Sequence, residues 1–259
     1  MFDLAAGYYP FDDVNHTVVA IMAGLRRERA QPPAVLDVGC GRGQLGGAIR
    51  ALGCRVTGIE RNPQAVATAQ QRLDEVLPAD VADQVAVAAA LGDRRFDVLL
   101  FADLLEHLPD PLAVLRFYRR FLAPGGRVVI SLPNIACWDR RLALLFGRFD
   151  YADAGIMDRT HLRFFTFRTA GILVREAGMS VLSTGHAPGI ARAFLPLIKR
   201  VLGRGGDAAA PPDPGAILNS PAYRFYERRL LPAETAIAGL WRGLLAFRIV
   251  LVAAPDGGQ

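Results

Sequence analysis

The sequence predicts an α/β fold in which a mostly parallel sheet is covered by helices on both faces. Apolar runs of strand length alternate with segments of helical composition from about residue 34 onward, the pattern of repeated strand and helix units. The runs are apolar almost throughout rather than at every second residue, as expected for strands with both faces buried. With 259 residues and 52% hydrophobic content, the chain is long enough to bury such a core.

Five strands and four helices are predicted before residue 134. The strands are AVLDVG (34–39), RVTGIE (55–60), the weaker EVLPAD (75–80), FDVLLFAD (96–103) and RVVISLP (127–133). The helices are Gln44–Leu52, Pro63–Leu73, Val81–Leu91 and Pro111–Leu122. The turn signal Pro124-Gly125-Gly126 is expected to end the fourth helix and to separate it from the fifth strand.

The pattern changes after the fifth strand. A long connection, residues 134–167, carries an apolar helix, and connections of this length are usually functional. A helix at Arg168–Ala177 and strands at Met179–Thr184 and Ala246–Ala253 are predicted to follow. The expected organisation is an N-terminal helical lid (1–33), a cofactor-binding core (34–186), a helical insertion (187–243) with a flexible loop (203–215), and a final core strand and tail (244–259).

The composition argues against several classes of protein. The net charge of +5 comes from basic residues scattered in twos and threes, so no nucleic-acid partner is expected. The cysteines Cys40, Cys54 and Cys137 lack the spacing of a disulfide framework or a zinc site. The first residues lack the basic start of a signal peptide, and the apolar stretch at 237–254 contains two arginines. A cytoplasmic protein without a transmembrane segment is therefore expected.

A glycine loop follows the first strand in the sequence DVGCGRGQLGG. Asp37 lies at the strand end, and Gly39, Gly41 and Gly43 follow before a helix, where a backbone without side chains lets a ligand approach closely. The second strand ends at Glu60, about 20 residues further along, where a carboxylate can accept both ribose hydroxyls. This series predicts a nucleotide-cofactor site; a tight turn that needs glycines for its shape is the alternative.

The chemistry of this loop favours S-adenosylmethionine over NAD. The dinucleotide pattern GxGxxG is not supplied in frame from Gly39. In addition, a carboxylate at Asp37 repels a pyrophosphate and suits an ammonium or a sulfonium group.

Four segments resemble, in order, the motifs of the class I S-adenosylmethionine-dependent methyltransferases. They are VLDVGCGRGQLG, VTGIERNPQAVATA, FDVLLFADLLEHLPDP and LAPGGRVVISLPN, and the resemblance covers about residues 34–185 plus the last strand. It implies a Rossmann-like, seven-stranded, mostly parallel sheet with the last strand antiparallel, helices on both faces, and a helical insertion. It also implies S-adenosylmethionine as the cofactor.

The resemblance implies roles for individual residues. The cofactor-binding set is Asp37, Gly39, Cys40, Gly41 and Gly43 along the methionine portion, Glu60 with Arg61 at the ribose, Asp80 with Val81 at the adenine edge, and Asp103 at the methionine end. Tyr8 and Tyr9 are expected either to fold over the cofactor or to pack as ordinary aromatic residues.

Two histidines are candidates for the base that removes a proton from the methyl acceptor. His107 follows the fourth strand, at the edge of the sheet where such folds bind ligands, with orientation or packing beside Glu106 as the alternative role. His161 lies in the segment GRFDYADAGIMDRTHLRFFT (147–166). This segment is similar to one found in a bacterial subgroup of these methyltransferases linked with cell-surface saccharide and natural-product pathways.

Asp158, three residues before His161, has two interpretations. On one helical turn its carboxylate would face the imidazole of His161 and fix the tautomer of that ring. Alternatively, Asp158, Arg159 and Arg163 form ion pairs that anchor the loop to the domain.

The sequence therefore predicts an O-methyltransferase that acts on a sugar or another small hydroxylated metabolite with a histidine base. No metal is expected, because no pair such as D-D or H-x-H follows the fourth strand. The competing predictions are N- or C-methylation, an NAD-linked oxidoreductase, and a non-catalytic binding module of the same fold. Cys137 could be a nucleophile but is interpreted as a small core residue.

The insertion contains an amphipathic pattern, with Leu195, Ile198 and Leu202 on one face of FLPLIKRVLG. Either this helix packs on the domain as a cap, or it touches the inner membrane surface or a lipid-linked saccharide. A homodimer is left open.

Overall fold

The computed structural model describes residues 14–188 and 231–257 of the chain. Its strands are β1 (Ala34–Val38), β2 (Arg55–Glu60), β3 (Glu75–Pro78), β4 (Phe96–Ala102), β5 (Leu122–Pro133), β6 (Met179–Pro188) and β7 (Ala246–Pro255). Its helices are α1 (His16–Arg27), α2 (Gln44–Ala51), α3 (Pro63–Ala69), α4 (Gln84–Leu91), α5 (Pro111–Tyr118), α6 (Trp138–Leu145), α7 (Phe167–Glu176), α8 (Leu231–Leu240) and α9 (Arg242–Leu245). Single 3₁₀ turns lie at Leu105–His107 and Arg119–Phe121.

The strands form one seven-stranded sheet in the order β3-β2-β1-β4-β5-β7-β6. The pairs among β1 to β5 are parallel, and β7 lies antiparallel between β5 and β6. The predicted mostly parallel sheet with an antiparallel last strand is therefore confirmed. The strand order reverses between β1 and β4, and sheets of this kind bind ligands beyond the carboxyl ends of the strands at such a point.

Two hydrophobic cores lie on opposite faces of the sheet, which explains why the strands are apolar almost throughout. Leu36 and Leu99 face the core that contains α5 and α7, and Val35 and Val98 face the core that contains α2 and α3. Successive residues of a strand point to opposite faces, so each strand contributes to both cores. Helices on both faces are thereby confirmed.

The predicted turn Pro124-Gly125-Gly126 lies inside β5, which begins at Leu122. The predicted start of this strand at residue 127 is therefore corrected. Phe96 pairs with Leu122 and Val98 pairs with Arg127, so the intervening residues of β5 form a bulge against β4. Gly125 within this bulge has a φ of 71°. A bulge tolerates a turn sequence without ending the strand pairing. The preceding helix consequently ends at Tyr118, not at Leu122.

Other element boundaries differ from the predictions for local reasons. Helix α4 begins at Gln84 rather than Val81, because the side chain of Asp83 accepts a hydrogen bond from the backbone N–H of Ala86 and caps the helix. Helix α3 ends at Ala69, earlier than predicted. Strands β6 and β7 are longer than predicted, because they pair with each other over almost their whole length.

The N-terminal helix belongs to the core. Val18 and Met22 of α1 are fully buried in the same core as Val35. Tyr8 and Tyr9, the rest of the expected lid, lie outside the described residues, as do the loop 203–215 and the amphipathic pattern of Leu195, Ile198 and Leu202. In the described ranges, none of the helices has the length and apolar character required to cross a membrane.

Candidate active site

The glycine loop between β1 and α2 is held tightly against β2 and against the turn after β4. Gly39, Gly41 and Gly43 adopt left-handed φ angles of 74°, 55° and 75°, which other residues adopt at a cost. The N–H groups of Gly39 and Cys40 both donate to the carbonyl of Ile59, at 2.9 and 3.0 Å. A Cβ at Gly39 would lie 2.8 Å from Leu104 Cδ1. The loop therefore requires glycine, and it directly contacts the segment that follows β4.

Glu60 is fixed at the end of β2 beneath this loop. Its Oε2 accepts a hydrogen bond from the N–H of Gly41 at 3.1 Å, and its Oε1 accepts from the N–H of Asn62 at 2.8 Å. A carboxylate has about four lone-pair positions, so both oxygens can still accept hydrogen bonds from a ligand. The arrangement fits the predicted role of Glu60 toward two ribose hydroxyls.

Asp37 is a buried carboxyl group whose Oδ2 has no hydrogen-bond partner within the described ranges. Burial, and to a lesser extent the charge of Glu60, raises the pKa of Asp37 to about 7. Two neighbouring acids make the loop favourable for a cationic ligand and unfavourable for a pyrophosphate. S-adenosylmethionine carries an ammonium and a sulfonium group, so the residues present fit this cofactor.

The side chain of Cys40 packs beneath the loop rather than toward a ligand. A Cβ at Gly58 of β2 would lie 2.5 Å from Cys40 Sγ. Burial, with the charges of Asp37 and Glu60, raises the pKa of the Cys40 thiol, which therefore stays protonated. We therefore expect Cys40 to contact a cofactor through its backbone.

Asp80 and Val81, predicted at the adenine edge, follow β3 and lie next to Arg61, which follows β2 and was predicted at the ribose. Arg61 and Asp80 form an ion pair at 2.9 Å, with side chains that are 57% and 42% exposed. The other oxygen of Asp80 accepts from the N–H of Ala82 at 2.9 Å. Val81 is buried, and its carbonyl accepts a hydrogen bond from the hydroxyl of Tyr118 at 3.1 Å. The structure thus positions Asp80 through its neighbours at the same edge of the sheet as Glu60.

Asp103 has the strained backbone that is often found at functional sites. Its φ of 50° makes it the one non-glycine residue with a left-handed backbone in the described part of the chain. Its Oδ1 accepts from the hydroxyl of Ser131 at 3.0 Å, and its Oδ2 pairs with Arg248 at 3.0 Å. Asn15, at the start of α1, donates in turn to Ser131. Sequence reasoning missed these supports; the arginine in the apolar strand β7 was the available signal.

Glu106 was also missed as a site residue. It lies in the 3₁₀ turn after β4 and is buried, and neither carboxylate oxygen has a hydrogen-bond partner among the described residues. Burial, then the charge of Asp103, raises the pKa of Glu106 well above its usual range. Its backbone carbonyl accepts from the N–H groups of Leu162 and Arg163, at 2.8 and 3.0 Å. These two hydrogen bonds dock the segment that carries His161 beside the turn.

His107 and His161 are brought together by this docking. Their ring centroids are 4.7 Å apart, in an edge-to-face arrangement. His161 is buried, and its Nδ1 lies 2.9 Å from the carbonyl of Ile156. The Nδ1 of His107 lies 3.0 Å from the hydroxyl oxygen of Thr160 and 3.3 Å from the carbonyl of Thr160. These partners assign the proton of each ring to Nδ1 and leave Nε2 with a free lone pair.

The prediction that Asp158 fixes the ring of His161 is wrong. The segment is a turn rather than a helix, so the spacing of three residues does not bring the two side chains together. Instead, Asp158 Oδ1 accepts from the backbone N–H and the hydroxyl of Thr160, at 2.8 and 2.6 Å. Because that hydroxyl donates to Asp158, its lone pair accepts from His107. Asp158 therefore acts on His107, through Thr160.

The alternative in which charged residues anchor the loop holds in part. Arg163 donates to the carbonyl of Pro109 at 2.7 Å and so ties the loop to the segment after β4. Arg159 pairs with Asp153 inside the loop. Cys137 is buried beside Met157, and burial raises the pKa of its thiol, so it behaves as the predicted core residue.

Glu106, His107 and His161, here called the His-Glu cluster, are the one group of potential metal ligands found in the described ranges. Each residue offers one ligand atom, and these atoms lie within 4.8 Å of one another. Burial, then the neighbouring His161, lowers the pKa of His107 and favours its neutral, ligating form. The sequence prediction of a metal-free site did not consider this grouping, because His161 is far from the other two residues in the chain.

Comparisons with known proteins agree with this fold. Residues 14–184 match a family model described as a methyltransferase domain. A ubiquinone biosynthesis O-methyltransferase of Xanthomonas campestris pv. campestris (strain B100) is 40% identical over 102 residues, which are 39% of this chain and 43% of that protein. The enzyme of the same name from Cereibacter sphaeroides (strain ATCC 17029 / ATH 2.4.9) is 37% identical over 101 residues, 39% of this chain and 41% of that protein. The chain thus spans less than half the length of these relatives.

Solved structures share the fold at low sequence identity. A SAM-dependent methyltransferase from Archaeoglobus fulgidus has a TM-score of 0.53 at 16% identity, covering 90% of this chain and 92% of that chain. The magnesium protoporphyrin IX methyltransferase from Synechocystis PCC 6803 with bound SAH has a TM-score of 0.55 at 17% identity, covering 93% and 83%. These structures share the fold of this chain, and with the family match over more than half of its length, the chain belongs to the methyltransferase-domain family.

Proposed function

We propose that the protein transfers the methyl group of S-adenosylmethionine to a hydroxyl oxygen of a small acceptor, such as a sugar. The main observation in support of this proposal is the contact between Leu104 and Gly39. It joins the glycine loop to the turn that bears Glu106 and His107, so groups that can handle a proton lie beside the cofactor loop. A hydroxyl must lose its proton when its oxygen is methylated, whereas a neutral amine needs no base to attack.

The chain holds the cofactor with residues at the carboxyl edge of the sheet. The backbone of Gly39 and Gly41 admits the ligand, and the carboxylate of Glu60 accepts hydrogen bonds from ribose hydroxyls. Asp80 serves the adenine end, and Asp103 borders the methionine end. When bound, S-adenosylmethionine supplies an electrophilic methyl group on a positively charged sulfur.

The two imidazoles act on the acceptor. The hydrogen bonds at Nδ1 of His107 and His161 hold both rings with Nε2 as the free basic atom. Nε2 of His107 or of His161 can accept the hydroxyl proton directly. Alternatively, it can bind a group that lowers the pKa of the hydroxyl. Asp158 and Thr160 keep His107 in the tautomer that this role requires.

An aromatic rim, formed by Phe149, Tyr151 and Phe164, supports a ring-shaped acceptor. Phe149 and Tyr151 are about half exposed, and their centroids lie 5.8 Å apart. Phe164 links this pair to the site, with centroids 5.6 Å from Phe149 and 6.3 Å from His161. Aromatic faces pack against the C–H face of a sugar and against a phenol ring alike.

A phenolic hydroxyl is the second candidate acceptor. The relatives from Xanthomonas and Cereibacter are named ubiquinone biosynthesis O-methyltransferases, and the aromatic faces of the rim suit packing against a phenol ring. A lipid-linked saccharide at the inner membrane surface remains a prediction, because most of the 187–243 insertion lies outside the described residues.

The test is methyl transfer from methyl-labelled S-adenosylmethionine to separate panels of sugars and sugar nucleotides, of phenols and catechols, and of amines. Products are identified by mass spectrometry, which locates the new methyl group. The proposal expects O-methylated products that disappear when both His107 and His161 are replaced by alanine. Products methylated only on nitrogen or carbon, or turnover unchanged in the double variant, would reject it.

A further inference from the structure

We propose that Glu106, His107 and His161 form a binding site for one divalent transition-metal ion. The residues come from two segments that the fold brings together, the 3₁₀ turn after β4 and the loop before α7. Their ligand atoms lie within 4.8 Å of one another. In an occupied site, bonds of about 2.1 Å place neighbouring ligand atoms about 3.4 Å apart. Small rotations of the three side chains would close the site around an ion.

The buried carboxylate of Glu106 is an independent observation that indicates a cation. The residue is 1% exposed, and neither Oε1 nor Oε2 has a hydrogen-bond partner in the described ranges. Buried carboxylates are normally hydrogen-bonded, paired with a cation or bound to a metal. Arg248 of β7 is near enough for its charge to lower the pKa of Glu106, but its ion pair is with Asp103. A metal ion between Glu106 and the two imidazoles would supply the missing partner.

The hydrogen bonds around the two histidines are those of metal ligands. A ligating histidine usually donates its second ring N–H to a carbonyl or a carboxylate, which fixes the tautomer and directs the other nitrogen at the metal. His161 places Nδ1 against the carbonyl of Ile156, and His107 places Nδ1 against Thr160, which is itself hydrogen-bonded to Asp158. Both rings are therefore oriented before an ion arrives.

The ligand set favours a transition metal over magnesium or calcium. Two imidazole nitrogens and one carboxylate suit zinc, iron, cobalt or manganese, whereas magnesium and calcium prefer oxygen ligands. Asp103 is held by Ser131 and Arg248, which leaves three protein ligands. Sites with three protein ligands keep a coordination position open for water or substrate.

The open position gives the site a role that rests on the proposed function. A hydroxyl bound there would have a lower pKa and would lose its proton to solvent more readily. Its oxygen would form a bond to the methyl carbon as the carbon–sulfur bond breaks, and the sulfonium would become a neutral thioether. Under this inference, the histidines of the proposed function act as ligands rather than as direct bases.

Metal binding is tested on the purified chain without any methyl acceptor. The protein is treated with EDTA, dialysed, and titrated with Co²⁺ while the visible absorption of the ion is recorded; Mn²⁺ binding is followed by calorimetry. We expect one Co²⁺ per chain. Glu106→Gln and His161→Ala should each weaken binding by at least about 100-fold, and Thr160→Val, which removes a partner of His107, by about tenfold.

His186→Gln is the matched control, because His186 lies outside the cluster and contacts the carbonyl of Thr235. It should bind Co²⁺ with unchanged affinity. Thermal unfolding of each variant checks its fold, and His107→Gln, at a partly exposed position, provides a further ligand variant. The inference fails if the intact chain takes up no stoichiometric Co²⁺ or Mn²⁺, or if Glu106→Gln and His161→Ala bind as the parent does. Displacement of Co²⁺ by an equal concentration of Mg²⁺ would overturn the transition-metal assignment.

Binding of S-adenosylhomocysteine, measured in the same preparations, separates the two proposals. Intact binding of this product with no metal uptake overturns the metal site alone. Metal uptake with no binding of S-adenosylhomocysteine overturns the proposed function and leaves the metal site standing.

Discussion

The hydroxyl oxygen of Thr160 lies 3.0 Å from Nδ1 of His107, and the same hydroxyl donates to Asp158 at 2.6 Å. An uncharged residue of the loop before α7 therefore sets the tautomer of a histidine in the turn after β4. Asp158, which was predicted to face His161, is instead connected to His107 through the hydroxyl of Thr160.

Thr160→Val should lower kcat by about tenfold and leave the affinity for S-adenosylhomocysteine unchanged, because Nδ1 of His107 loses its closest acceptor. Thr160→Ser restores the hydroxyl and should restore kcat, which a purely structural role of the threonine methyl group would not allow. Thr68→Val, which removes a hydroxyl on α3 that donates to the carbonyl of Gln64 in the same helix, is the control. Steady-state kinetics with a methyl acceptor measure both parameters. Equal kcat for Thr160→Val and the parent would contradict the assignment.

Glu60→Gln should weaken binding of S-adenosylhomocysteine by about 10- to 100-fold, or about 1.4 to 3 kcal/mol, because a charged acceptor of hydrogen bonds is lost. The substitution keeps the shape of the side chain, so the contact with Asn62 can persist. Glu75→Gln, which removes an exposed partner of Arg94, should leave the affinity unchanged. Isothermal titration calorimetry compares the variants. Similar losses in both would indicate a general effect of net charge rather than a ribose contact.

The stability of the ligand-free protein should fall as the pH rises from about 4 to about 7, because of Asp37. Burial raises the pKa of this carboxyl from 3.8 to about 7, so the folded state binds the proton more tightly than the unfolded chain does. The contribution is fully present below the unfolded pKa and is lost as the pH rises through the folded pKa. Asp37→Asn should therefore be more stable than the parent at pH 8, by up to about 4 kcal/mol.

Urea unfolding of Asp37→Asn and its parent between pH 5 and pH 8 measures this difference, with Asp93→Asn at an exposed position as the control. The Asp93 variant should follow the pH dependence of the parent. Parallel curves for the parent and the Asp37 variant would show that Asp37 is ionised in the folded protein at all these pH values.

Much of the fold was predictable because it depends on local patterns. Strands that are buried on both faces need continuous apolar runs, and these runs gave the order and approximate bounds of β1, β2 and β4. The bulge at Gly125 was not predictable from its own sequence, because Pro-Gly-Gly signals a turn whether or not the strand pairing continues around it.

The cofactor half of the site was also predictable, whereas the acceptor half was predictable only in part. Gly39 and Glu60 lie at the ends of consecutive strands, so their meeting follows from the fold class. The meeting of His161 with Glu106 depends on hydrogen bonds from Leu162 and Arg163 to the backbone carbonyl of Glu106. Backbone contacts between distant segments leave no pattern in the residue types.

Arg248→Met should lower the free energy of unfolding by about 2 kcal/mol, because it leaves Asp103 without its charged partner in a partly buried position. Arg61→Met, which removes an exposed ion pair with Asp80, should cost less than about 1 kcal/mol. Urea unfolding at pH 7 compares the two variants. A smaller loss for Arg248→Met than for Arg61→Met would contradict the role of Arg248 as a support for Asp103.

Calorimetric titration of the purified chain with S-adenosylhomocysteine and, separately, with NADH tests the central claim most directly. The buried acid Asp37 and the glycine loop beside it predict one site per chain for S-adenosylhomocysteine and no measurable binding of NADH. Tight binding of NADH with no heat from S-adenosylhomocysteine would contradict the assignment of the site to a methyltransferase.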